Sequence, residues 1–328
     1  TAPTVTTSTT PASTTVTTTI AHIARATSAS TTTRSATIGP GMCPGTIGLG
    51  GNRLSLVSTG FSVPGEEAKL VDVVKGSAVR PHIGGRAYFA EFCTEGAYDN
   101  NQYAAFLLLG KTMRYTVDLS SGAGCGCNAA FYLTSMRQNV NPTSCGDYYC
   151  DANKVCGEAC AEIDIQEANT ASWHSTLHTM TDHNGVGGGY GGGSAWNGPR
   201  DWSSSQYGPR AACIDTMAPI KVAASFPVDG RGALAAMRLT LSQDGHSCTL
   251  SLDLGSYTGM GELSRALAAG VTPVVSYWSG DMLWMDGEGR DRRGPCAHDR
   301  PGACGDSVSF YNFSVEDAAG PGRPAGGG

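Results

Sequence analysis

"KTMRYTVDLS", Lys111 to Ser120, decides the fold class, because its apolar and polar residues alternate. Met113, Tyr115, Val117 and Leu119 fall on one face, and Thr112, Arg114, Thr116 and Asp118 on the other. A period of two is the pattern of a half-buried β-strand. "KVAASFPV" and "MRLTLS" repeat it, parted by the turn signal Asp-Gly-Arg-Gly, and "TLSLDL" follows another Asp-Gly turn. "VSFYNFSV" reads as a last strand with a slip in phase near Tyr311, and only "GELSRALAAG" (Gly261–Gly270) reads as a helix. Many short strands between Gly-rich turns predict an all-β antiparallel β-sandwich or jelly roll.

One globular domain is expected, residues 39–316. Residues 1–38 are Thr/Ser tracts that cannot bury enough apolar surface to offset ordering, so they read as a disordered, O-glycosylated linker. Residues 317–328 read as a disordered Gly/Pro-rich tail. The chain starts at Thr rather than Met, as a processed or truncated chain would.

The formal net charge of −6 over 328 residues argues against a nucleic-acid partner. No apolar run reaches the roughly 18–20 residues of a membrane span. Twelve cysteines at irregular spacings favour disulfides over zinc and point to secretion, which the sequon Asn312-Phe313-Ser314 fits. A monomer is expected.

The chemistry concentrates in "EIDIQEAN", Glu162–Asn169, where three carboxylates occupy six positions. On a strand Glu162 and Asp164 share a face, while Ile163 and Ile165 point to the core. Glu167 has the wrong parity unless a β-bulge inserts one residue, as bulges do beside active sites. With the bulge, Glu162 and Glu167 would face one cleft about 5–5.5 Å apart, the spacing of a retaining glycosidase. Glu162 would be the ionised nucleophile, and its charge would keep Glu167 protonated as general acid. Asp164 would orient Glu162. A solvated strand edge or a calcium site are the competing readings.

"EIDIQEAN" resembles the catalytic motif E-[ML]-D-[IV]-W-E-A-N of glycoside hydrolase family 7, the fungal-type cellobiohydrolases and endoglucanases. Family 16 laminarinases share its carboxylate spacing, but further segments favour family 7. "LLLGKTMRYTVDLSSGAGCGCNAAFYLTSM", "AWNGPRDWSSSQYG", "SYWSGDMLWMD" and "RRGPC" resemble that family's motifs in order, from about Gly45 to Val315.

The resemblance implies a concanavalin-like jelly roll whose long loops form an open glucan-binding cleft. Asn128, Tyr132, Asp151, Asn153, Arg200, Trp278, Trp284 and Arg293 match positions that contact the glucan, and His178 matches a histidine near the catalytic centre. Disulfides Cys125–Cys296 and Cys150–Cys160 are implied too. His174 and His178 could suggest zinc, but no third ligand is near in sequence, so neither a metal nor a cofactor is expected.

Gln166 replaces the family's Trp, and the loop from Asp151 to Glu162 is short, which implies an open cleft and internal cutting. The N-terminal part of the family domain is reduced here. The expected activity is retaining hydrolysis of internal β-1,4-glucosidic bonds in a cellulose-like β-glucan. A family-16-like β-1,3-glucanase and a non-catalytic glucan-binding wall protein are the alternatives.

Overall fold

A computed structural model describes residues 41–49, 51–60, 71–182, 188–287 and 294–318. The expected linker 1–38, most of the expected tail and Arg293 lie outside the described residues.

Two antiparallel sheets face each other. The nine-stranded sheet runs through Thr46–Leu49, Asn52–Gly60, Gly85–Ala90, Thr272–Ser279, Cys127–Thr134, Glu162–Ala168, Trp173–His178, Tyr190–Gly191 and Ala195–Trp196. The seven-stranded sheet runs through Leu250–Leu254, Met237–Ser242, Ile220–Ser225, Lys111–Asp118, Ser309–Asp317, Ala78–Pro81 and Val71–Val74. Residues 46–60 and 71–81 thus give each sheet its two outermost strands on one side.

The alternation in Lys111–Asp118 is realised. Met113, Tyr115 and Val117 are buried in the same core as Phe131, Leu133, Ile163 and Ile165 from the opposing sheet. Thr112 and Thr116, expected on the solvent face, are also buried. Their strand is central in its sheet, and cross-strand neighbours cover them: Thr112 Oγ1 meets Ser225 Oγ at 2.8 Å. The helix is Met260–Ala269, with Leu263 and Leu267, one turn apart, turned inward. The phase slip near Tyr311 is a register shift between Tyr311 and Ser314, where exposed Asn312 adopts a left-handed φ of 57°. The last strand reaches Asp317, one residue past the expected domain end, and the Ala318 N–H is tied to the Gly110 carbonyl at 2.8 Å.

Six disulfides tie the loops: Cys43–Cys93, Cys125–Cys296, Cys127–Cys304, Cys145–Cys156, Cys150–Cys160 and Cys213–Cys248. They include both implied pairs.

The decisive irregularity is in Glu162–Ala168. Asp164 pairs with Tyr132 but Gln166 with Phe131, so Ile165 is an extra residue, and the register to the next strand shifts between Asp164 and Glu167 as well. Ile165 and Gln166 are therefore both buried on the core side. A glutamine there needs partners, and it has two. Tyr115 Oη donates to its Oε1 at 3.0 Å, and its Nε2 donates to the Ala129 carbonyl at 2.9 Å. Gln166→Leu should cost about 1–3 kcal/mol by orphaning the Tyr115 hydroxyl. Adding Tyr115→Phe removes that orphan, so urea denaturation should find the double variant more stable than Gln166→Leu alone.

Candidate active site

The bulge turns Glu162, Asp164 and Glu167 into one cavity of about 470 Å³, lined also by Asn153, His174, Thr176, His178, Trp278 and Trp284. On the next strand, Glu162 pairs with His178, Asp164 with Thr176, and Glu167 with His174. The two histidines are four residues apart on one strand, so both reach the same face.

Glu162 is buried, and its Oε2 accepts the Ala152 N–H at 2.9 Å. The short Asp151–Cys160 segment makes that contact possible. The Cys150–Cys160 bridge closes it, and the Cys160 N–H bonds to the Asp151 carbonyl at 3.1 Å. Burial pushes the Glu162 carboxyl well up, the charges of Asp164 and Asp151 add to this, and His178 and the Ala152 N–H oppose it.

Glu167 is pushed up to about 8 by burial first and by the Asp164 charge second. This corrects the expectation that Glu162 is what keeps Glu167 protonated: removal from water dominates, and the like charge that counts is Asp164. Asn128 Nδ2 donates to Glu167 Oε1 at 3.0 Å, so one oxygen is held while the other carries the proton.

The histidines differ in charge. His174 Nε2 faces the Gly198 carbonyl at 2.9 Å, and its Nδ1 faces the Thr176 hydroxyl at 2.8 Å. That donor–acceptor pair suits the neutral ring, and burial lowers its pKa to about 4. His178 meets acceptors on both sides, Asp164 Oδ2 at 3.1 Å and, across the ring, the Gly188 carbonyl at 3.2 Å. Burial pushes His178 down, but hydrogen bonds to Asp164 and Asp182 more than reverse this and lift it well above the usual histidine range. The Gly-rich run beside it has a steric reason: a Cβ on Gly189 would lie 2.3 Å from His178 Cε1.

Other positions singled out in the sequence take supporting places. Asn128 is fully buried, binding Glu167 and the Ala168 N–H. Tyr132 is buried, its hydroxyl 3.2 Å from that of Tyr149. The Asp151 carboxylate accepts the Val155 N–H at 3.0 Å, and burial raises its pKa against the pull of that bond and of Arg86. Arg200 donates to the carbonyls of Met285 and Gly287, bracing the loop that carries Trp284. Trp284 is 39% exposed and packs edge-on against His174, ring centres 5.0 Å apart.

Arg86, Asn169 and Asp286 are not singled out by the sequence reading. Arg86, on Gly85–Ala90, is buried with its guanidinium 3.8 Å from the Tyr149 ring centre. A lone arginine inside the run "GRAYFA" was the signal for it. Asn169 ends the motif in a turn: its Oδ1 accepts the N–H groups of Ala171 and Ser172, and its Nδ2 donates to Asp286 Oδ2 at 2.7 Å. Asp286 thereby locks the Trp284 loop to the carboxylate strand.

No protein-family model matches the chain. It is 29% identical to endoglucanase 1 of Pyricularia oryzae over 300 residues, covering 73% of this chain and 67% of that one. It is likewise 29% identical to a probable endo-β-1,4-glucanase celB of Neosartorya fischeri over 248 residues, 62% and 60% of the two chains. The chain thus spans about 60–67% of the length of these curated relatives. The fold resembles an endoglucanase I complexed with cellobiose (TM-score 0.58, 15% identity, 86% of this chain and 97% of that one). It also resembles a family 7 cellobiohydrolase from Daphnia pulex (TM-score 0.59, 17% identity, 87% and 98%).

Glu167 stays protonated in the native state up to about pH 8, whereas an unfolded glutamate ionises near the ordinary 4.5. Between those values the native state binds more protons, so its stability falls as pH rises. Glu167→Gln removes that penalty. Its melting temperature should exceed the wild type's by a margin that grows from pH 5 to pH 8, measured by calorimetry.

Proposed function

We propose that this chain is a member of glycoside hydrolase family 7 that hydrolyses internal β-1,4-glucosidic bonds of cellulose-like glucans with retention at the anomeric carbon, a reading that its endoglucanase relatives support. The observation that carries this reading is the bulge at Ile165, which puts Glu162, Asp164 and Glu167 into a cavity walled by Trp278 and Trp284. Flat sugar faces pack on indole rings through dispersion and apolar contact.

In the first step a Glu162 oxygen bonds to the anomeric carbon as the bond to the leaving oxygen breaks. Glu167 gives its proton to that oxygen. In the second step Glu167, now ionised, takes a proton from water, whose oxygen displaces Glu162 from the anomeric carbon. Burial is what makes Glu167 an acid near neutral pH, and Asn128 orients it. Asp164 and His178 hold the field around Glu162 through their contact at 3.1 Å. Asn153, Trp278 and Trp284 contact the sugars. Tyr132, Asp151 and Arg200 support the cleft or its loops, and Arg293 contacts the glucan, as its motif position implies. No cofactor takes part. The protein acts outside the cell as a monomer, with the Thr/Ser tract of residues 1–38 as an O-glycosylated spacer.

Reducing-end release from a soluble β-1,4-glucan tests this reading. Wild type should turn over, and Glu162→Gln and Glu167→Gln should each lose roughly 10²–10⁴-fold. Proton NMR should show the β-anomer forming first. A folded wild type inert on β-1,4-glucans would overturn the assignment. The wild-type kcat/KM should also fall above about pH 8, as Glu167 loses its proton. An aryl glycoside whose leaving group needs no protonation should show a much weaker fall.

A further inference from the structure

The family motif ends at His178, but the line of charged groups does not. The His178 Nδ1 lies 3.4 Å from Asp182 Oδ2, and the Asp182 side chain is only 4% exposed. Its other oxygen is pinned by three donors: the Thr179 N–H at 3.1 Å, the Thr179 hydroxyl at 2.6 Å and the Tyr257 hydroxyl at 2.5 Å. With Oδ1 so occupied, Oδ2 is buried without a hydrogen bond of its own and meets the imidazole as an ion-pair contact. Tyr257 is itself buried, so the anchor is rigid.

A neutral imidazole has one N–H and could satisfy only one of its two carboxylate neighbours. The other ring nitrogen would set a lone pair against an oxygen. With Asp164 at 3.1 Å on one side, and the Gly188 carbonyl at 3.2 Å and the Asp182 carboxylate at 3.4 Å on the other, only the imidazolium turns a proton toward both sides.

We propose that Asp182 is a positioning residue of the active site: it holds His178 as a doubly donating cation, which in turn fixes Asp164 beside the nucleophile Glu162. The proposal rests on the glycosidase reading and extends it by one residue. The groups bearing on His178 are Glu162, Asp164 and Glu167 from the neighbouring strand, His174 from its own strand, and Asp182. Among these, Asp182 alone stands on the side of the ring away from the carboxylate strand. It therefore balances the His178 charge without adding to the repulsion among the reacting carboxylates.

The line also has a role in the reaction cycle. When Glu162 bonds to the sugar its negative charge disappears, and the positive ring is left facing one anion fewer. Asp182 keeps the ring paired through that change, so Asp164 need not move between the two steps.

Asp182→Asn tests the proposal, because it keeps the shape and an acceptor but removes the charge. With the cation weakened, Glu162 ionises less readily. The acid limb of the kcat/KM profile should then move up by about one pH unit, which is a tenfold loss of kcat/KM on the acid side. KM near the optimum should stay close to the wild-type value. Nitrogen-15 NMR of the wild type at pH 7 should show both His178 nitrogens protonated, a readout that needs no variant to fold.

An acid limb in Asp182→Asn that coincides with the wild type's, even with a lowered melting temperature, would reduce Asp182 to a structural residue. A neutral His178 in the wild type at pH 7 would overturn the proposal outright. Both results can be read in an active wild type, whereas failure of the glycosidase reading would appear as an inert one.

Discussion

One extra residue in one strand governs the rest of the molecule. Without Ile165 as a bulge, Glu162–Ala168 would send Glu167 into the hydrophobic core and Gln166 into the cleft. With it, three carboxylates share a face, and two successive residues, Ile165 and Gln166, turn the other way. Bulges are tolerated where flanking strands can absorb the shift, and here both neighbours do so. The cost is several ionisable groups held away from water in a small volume. The surroundings answer with directed hydrogen bonds and two buried cations, Arg86 and His178.

Those compensating groups come from distant parts of the chain. Asn128 arrives from the adjacent strand, the Ala152 N–H from a disulfide-closed turn, and Arg86 from two strands further across the sheet. Asn169 and Asp286 then join the motif's own turn to the loop that carries Trp284. Several residues that look like ligand contacts in the sequence thus also brace groups of the protein itself. Arg200 is one: the two carbonyls it binds, on Met285 and Gly287, flank Asp286.

What the sequence could reveal followed from local periodicity. The alternation of Lys111–Ser120 and the phase slip at Tyr311 are properties of consecutive residues, and both appear in the structure. The bulge was legible too, because parity alone left Glu167 misplaced without it. The reason for the Glu167 titration was not, since depth of burial is set by the packing of many distant residues. The motif positions of Tyr132 and Asn128 carry no sign of how much lies over them; both are buried. Arg86 and Asp182 went unseen for a related reason: each matters through a partner that only the folded sheet brings near.

The disulfide pattern also orders events in time. Cys43–Cys93, Cys145–Cys156 and Cys150–Cys160 join residues 50, 11 and 10 positions apart, so each can close on a chain still being made. Cys125–Cys296 and Cys127–Cys304 span 171 and 177 positions. Their first cysteines must wait as thiols while most of the domain is synthesised, exposed to pairing with the wrong partner. The carboxylate strand and its clamping turn can therefore be assembled early, while the loop bearing Trp284, which leads into the late cysteines Cys296 and Cys304, is fixed last. In an oxidising compartment, the yield of competent protein would be decided at these two late closures rather than at the chemistry-bearing strand.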